Sequence, residues 1–177
     1  MNQAAGPPPL IGIAGWKKSG KTTLAERVIA ELAARGLKVA SIKHAHHNFR
    51  IDDDDTDSAR HRRAGASPVA VVSARRWAVV RELAGEREPS LADVVAALGP
   101  CDLVIVEGYK TAPIPKIECR RLEAHGQEPL ANDDPNVIAV AADHATDASG
   151  RPVFALDDIA GIADLIVKSL GLPAART

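Results

Sequence analysis

Aromatic residues are almost missing from this sequence: two Phe, one Tyr and two Trp in 177 residues. A core must therefore rest on Val, Ile, Leu and Ala. At 46% apolar residues the chain has enough of these for one compact domain. Cysteine is scarce too. Cys101 and Cys119 are too few for a disulfide framework, so a reducing cytoplasm is the expected setting. Neither sign of charge prevails: a net charge of −1 and a pI of about 6.6 give no global positive field for nucleic acid or an anionic membrane. Apolar runs are short and broken by charges, and none is expected to span a bilayer. The opening "MNQAAGPPPL" lacks the basic and apolar regions of a signal peptide. It reads as a Pro-rich lead over residues 1–9, ahead of a single domain over 10–172 and a tail over 173–177.

What the chain does have is an alternation of buried-type strands and amphipathic helices. "LIGIAG" is an apolar run closed by Gly15. In "TTLAERVIAELAARG", Leu24, Val28, Ile29 and Leu32 fall at helical spacing, with Gly36 as the residue after the C-cap. "LKVASIKH" is the next strand, so the first 44 residues read β-α-β, a parallel pair with a right-handed crossover. Further on, "DSARHRRAGA" reads as a short helix capped by Asp57 or Ser58 and stopped at Gly65. "PVAVVS" reads as a strand, and "AVVRELAG" is ambiguous. "SLADVVAALG" is a helix with Ser90 as N-cap. "DLVIVEG" and "NVIAVAAD" are buried strands, and "PVFAL" is a short one. "PKIECRR" alternates polar with apolar residues, which suggests an edge strand or a projecting arm. "DDIAGIADLIVKSLG" is the last helix, capped by Asp157 or Asp158 and stopped at Gly171. The pattern predicts a doubly wound, mostly parallel α/β sheet of the P-loop NTPase type.

The chemistry concentrates after the first strand. Gly15-Trp16-Lys17-Lys18-Ser19-Gly20-Lys21-Thr22 matches G-x-x-x-x-G-K-[ST] at every fixed position, between a predicted strand and a predicted helix. The glycines let successive N–H groups turn inward on phosphate, and the helix that follows presents its positive end to the same anion. Lys21 is expected to reach the β and γ phosphates, and the Thr22 hydroxyl is a hard oxygen ligand for Mg²⁺. Thr23 completes the predicted nucleotide-binding segment. Lys17 and Lys18 read equally as solvated loop charges or as extra cations near phosphate or an acidic second substrate.

A Mg²⁺ ion on a nucleotide needs a carboxylate at the carboxyl end of a neighbouring strand. "DLVIVEGYK" offers Glu107 there, whereas Asp102 stands at the wrong end. Glu107 is the candidate to hold Mg²⁺ through water or to polarise an attacking water. The loop "KHAHHNFRIDDDDTDSARHR" follows the second strand on the same side. Either Asp52 or Asp57 is the candidate to face Mg²⁺, with Lys43, His44, Arg60 and His61 facing phosphate. His44, His46 and His47 beside five acids keep a nickel-type metal-insertion GTPase open as a rival. A small-molecule kinase or ATP-dependent ligase is another, with the basic residues of this loop holding an anionic substrate. The guanine-reading N/T-K-x-D motif is absent. Asp143, at the end of "AADHATD", reads as a carboxylate for a base or as a turn residue.

Taken together, "GWKKSGKTTL", "KHAHH" followed by "DSARHRRAGA", "DLVIVEGYK" and "IPKIECRR" resemble the molybdopterin-guanine dinucleotide biosynthesis protein B (MobB) family over residues 10–170. The resemblance implies GTP and Mg²⁺ as ligands, weak GTPase activity and a homodimer. It also implies an accessory role beside the guanylyltransferase that joins GMP to molybdopterin. By position, Lys21 and Thr22 carry over to phosphate and Mg²⁺, and Glu107 to the carboxylate role. Asp52, Asp57, Ser58 and His61 match the family's loop after the second strand, and "IPKIECRR" matches a segment expected in the dimer contact.

Overall fold

The computed structural model describes residues 6–45, 56–124 and 128–173. These residues fall into two compact units. One is drawn from Met1–His44 and Leu91–Thr177, the other from Ala45–Ser90.

The first unit is built on six parallel strands: β1 (Leu10–Ala14), β2 (Val39–Lys43), β5 (Leu103–Glu107), β6 (Lys116–Arg120), β7 (Val137–Ala142) and β8 (Val153–Ala155). Their order in the sheet is β2-β5-β1-β6-β7-β8. The chain thus winds one way from the central β1 and then the other, as the alternation predicts. Side chains alternate across the sheet. Ile11, Ile13, Leu103, Ile105, Ile117 and Ala139 face helices α1 (Lys21–Ala34) and α5 (Ile159–Ser169), meeting Leu24, Val28, Leu32, Ile162 and Ile166. Val104, Val106 and Ile42 face the other way, onto Val95 of α3 (Leu91–Ala97). A short helix α4 (Leu130–Asp133) buries Ala131 against Val137 and Val140.

The predicted helix ends hold where local chemistry is strongest. α1 closes with paired bonds, Gly36 N–H to Ala33 O at 3.0 Å and Leu37 N–H to Leu32 O at 3.2 Å. α5 is capped by Asp158, whose Oδ1 accepts from Gly161 N–H at 3.0 Å.

The edge or arm predicted for "PKIECRR" is not found. β6 lies inside the sheet between β1 and β7, and all five of its residues are buried. Their alternation misleads because the polar face is buried as paired charge, with Arg120 Nε alone of these groups lacking a hydrogen-bond partner among the described residues. Lys116 Nζ donates to Ala112 O at 2.7 Å and to Asp134 Oδ2 at 2.5 Å. Glu118 accepts from Leu130 N–H and Ala131 N–H, each at 2.9 Å, and from Arg120 at 2.7 Å. Burying such groups is tolerable only when every charge is met in this way.

The second unit holds α2 (Asp57–Arg63) and an antiparallel pair, β3 (Val69–Val72) with β4 (Trp77–Val80). The ambiguous "AVVRELAG" thus supplies β4. The cap of α2 is Thr56, just ahead of the predicted Asp57 or Ser58. Its backbone is extended and its Oγ1 accepts from Ala59 N–H at 3.3 Å. The hairpin leaves Val72 74% and Trp77 71% exposed.

Candidate functional site

The loop Gly15–Thr22 joins the carboxyl end of β1 to the start of α1. Gly15 at φ 145° and Gly20 at φ 90° give it its turn, and Lys18 also lies in the left-handed region at φ 66°. A Cβ on Gly15 would stand 2.5 Å from Cys119 O and 2.6 Å from Ser19 Oγ, so only glycine fits. Gly20 is the N-cap of α1, so no side chain caps the helix, and its first turn carries Lys21, Thr22 and Thr23 but no acid. That is the reverse of the usual preference, which places acids at the positive end of a helix. It is the arrangement that suits an external anion.

The neighbours of this loop converge on it. Lys21 Nζ donates to Trp16 O at 2.6 Å. Thr22 Oγ1 donates to Glu107 Oε1 at 2.7 Å, bringing together the two hard oxygens that the sequence reading paired. Lys43 Nζ lies 3.4 Å from both of those atoms. Asp102, at the opposite end of β5, accepts from Lys38 N–H at 2.7 Å instead. Ser19 is 2% exposed, and its Oγ is a buried atom with no hydrogen-bond partner among the described residues. Lys17 and Lys18 are exposed.

Two cations flank the loop that sequence reasoning did not single out. Lys110 Nζ lies 3.6 Å from the centre of the Trp16 ring, and the Trp16 indole N–H donates to Glu128 O at 2.8 Å. Arg121 packs against Gly20, where an added Cβ would stand 2.7 Å from its Nε. That buried Nε has no hydrogen-bond partner among the described residues. Both residues sit at the ends of strings already noted, "EGYK" and "ECRR". A lysine three positions past a strand-end acid is too common a pattern to read alone. A cavity of about 590 Å³ opens beside Gly20 and Arg121, lined also by Thr23, Asp143, His144 and Asp157. Asp143 Oδ1 accepts from Leu122 N–H at 2.9 Å and contacts His144 Nδ1 at 2.8 Å. It ties the turn after β6 and also reaches the cavity.

Electrostatics follow from this crowding. Burial lowers the Lys21 pKa from its ordinary value, and the nearby Lys43 charge pushes the same way against Cys119 and Glu107. Burial likewise lowers Lys110, helped by the charge of Lys21. The bond with His144, then the Leu122 amide, hold Asp143 below the usual carboxylate range. Beneath the loop the Cys119 thiol donates to Ser19 O at 2.8 Å, and burial pushes its pKa up to about 11.

Of the other predicted residues, Asp57 begins α2 in the second unit, where its carboxylate pairs with Arg60 at 3.6 Å. Asp52, His46 and His47 lie outside the described residues. The His44 ring packs on Tyr109 with centres 4.6 Å apart. Among the described residues no group of three or more His, Cys, Asp or Glu side chains could hold a metal ion. Among the described residues beside the loop, Thr22 and Glu107 are the hard oxygens that stand together. No helix among the described residues is long and apolar enough to cross a membrane.

A parallel sheet with this order, and a glycine loop running into an uncapped helix beside a strand-end carboxylate, define a P-loop NTPase fold. Residues 10–143 match the family model for molybdopterin guanine dinucleotide synthesis protein B, and the chain belongs to that family, MobB. It is 41% identical over 161 residues to a molybdopterin-guanine dinucleotide biosynthesis adapter protein of Haemophilus influenzae, covering 89% of this chain and 87% of that one. The adapter protein of that name from Escherichia coli is 37% identical over 163 residues, covering 90% and 92%. Among solved structures, Bacillus subtilis MobB superposes with a TM-score of 0.69 at 25% identity, covering 90% of this chain and 96% of that one.

Proposed function

We propose that this chain binds GTP with Mg²⁺ at Gly15–Thr22, hydrolyses it slowly, and serves as an accessory protein in molybdenum cofactor maturation. Its partner is then the guanylyltransferase that forms molybdopterin guanine dinucleotide. The observation that carries the nucleotide reading is the Thr22–Glu107 contact of 2.7 Å at the start of an uncapped helix. Arg121, packed beside Gly20 and lining the cavity, fits the same reading as a further cation for phosphate. Thr22 and Glu107 are the residues that would hold Mg²⁺, which neutralises phosphate charge when bound. The backbone amides of the loop and of the first turn of α1 orient the phosphates, and Lys21 offsets charge between the last two.

The cavity beside Gly20 suits the nucleoside. A guanine edge presents two adjacent N–H donors, and the ionised Asp143 carboxylate on the cavity wall is an acceptor for such a pair. Slow turnover belongs to the same reading, in which Glu107 is engaged by Thr22 and Lys43 and is assigned to the metal. The accessory role rests on the names of the relatives, which are adapter proteins of this biosynthesis. A homodimer fits the hairpin that leaves Val72 and Trp77 exposed.

Affinity capture from native extract tests the partner reading. With GTP and Mg²⁺ present, the chain is expected to retain a nucleotidyltransferase carrying molybdopterin, and Lys21→Ala to retain less. Capture of no nucleotidyltransferase by the wild-type chain would count against the accessory role.

A further inference from the structure

We propose that Lys110 is a ligand of the terminal phosphate of the bound nucleoside triphosphate, and that Trp16 is the residue that positions it. The proposal rests on the nucleotide reading above and goes beyond it in naming a second cation for that phosphate.

The backbone aims Lys110 at the loop. β5 ends at Glu107, and the next two residues, Gly108 at φ 96° and Tyr109 at φ 46°, are both left-handed. Such a conformation is costly for tyrosine and persists only when its surroundings hold it. Here the Tyr109 ring packs on His44 with centres 4.6 Å apart, and Tyr109 O accepts from Ala112 N–H at 3.0 Å. The sharp turn brings Lys110 Nζ to 3.6 Å from the centre of the Trp16 ring. Trp16 is itself fixed by its indole bond to Glu128 O at 2.8 Å.

An aromatic face holds an ammonium group without cancelling its charge, whereas a carboxylate would cancel it. No carboxylate pairs with Lys110 among the described residues. Among the described residues, Lys21, Lys43 and Lys110 thus bring three positive charges to the loop, where Glu107 is the carboxylate they meet. Like charges so close are unfavourable unless a polyanion joins them.

Position along the loop selects the phosphate. Arg121 and the nucleoside-sized cavity lie at the Gly20 end. Lys110 lies at the other end, on Trp16, the residue whose carbonyl also receives the Lys21 ammonium. A chain of phosphates running from the cavity past Lys21 therefore ends beside Lys110.

Calorimetric titration of the full chain with GTP and with GDP, each with Mg²⁺, tests this. Lys110→Met is expected to weaken GTP by about tenfold or more while changing GDP by less than about threefold, the loss of one charge-assisted bond at the last phosphate. Lys110→Arg and Trp16→Phe should keep the preference for GTP over GDP, and Trp16→Leu should reduce it. Equal losses for both nucleotides in Lys110→Met, or no loss, would overturn the proposal. A full preference in Trp16→Leu would overturn the positioning role. Wild-type protein that binds neither nucleotide would instead overturn the nucleotide reading beneath it. Unchanged thermal melting of each variant shows that the fold is not what moved.

Discussion

Lys21 stands in the first turn of α1, where a cation meets the positive end of the helix and is partly buried as well. A side chain is kept in so unfavourable a place when an anion completes the site. Gly15 is as tightly constrained, because any Cβ meets Cys119 O and Ser19 Oγ. Gly15→Ala is expected to cost about 1–3 kcal/mol of strain in the loop. Thermal melting would show a modest loss, and calorimetry a larger loss of GTP affinity. Cys119 gives a separate residue-scale test. Its pKa of about 11 keeps the thiol protonated in the folded chain, and the side chain is buried. Because the folded value is raised above the ordinary 9.0, the thiol stabilises the fold below pH 9, and that contribution is lost as pH rises toward 11. Iodoacetamide at pH 8 should therefore alkylate Cys101 and spare Cys119 until the chain is unfolded, as read by peptide mass spectrometry.

At the scale of elements, the strands and helices with one unambiguous period were legible in the sequence. β1, α1, β5, β7 and α5 lie where apolar runs or helical spacing put them, and Gly36 and Gly171 end their helices. Thr22 and Glu107 could be paired from sequence because both belong to the same end of a parallel sheet. β6 was not legible. Lys116, Glu118 and Arg120 look like a solvated face, and only the fold supplies Asp134, the α4 amides and the Thr146–Asp147 loop that satisfy them. Lys110 and Arg121 escaped for a similar reason: their partners, Trp16 and Gly20, are remote in sequence and are joined by backbone turns. The buried pair makes a prediction. Arg120→Met should lower the urea-unfolding free energy by about 3–5 kcal/mol, because buried Glu118 then loses its countercharge and keeps only the Leu130 and Ala131 amides. Adding Glu118→Gln should recover part of that loss. Thr56→Ala should cost about 1 kcal/mol through the lost cap of α2.

At the scale of the molecule, one unit carries the phosphate loop and the cavity beside it, and the other carries an exposed hairpin. If that hairpin joins two copies, Val72→Asp with Trp77→Asp should yield monomers by sedimentation while leaving GTP affinity intact. The reverse outcome, dimers that persist, would place the contact elsewhere. The most direct test of the central claim is calorimetric titration of GTP with Mg²⁺ into the wild-type chain and into Lys21→Ala. The account predicts saturable binding of one GTP per wild-type chain and none to the variant. Equal affinity in the two proteins, or no binding to the wild type, would contradict it.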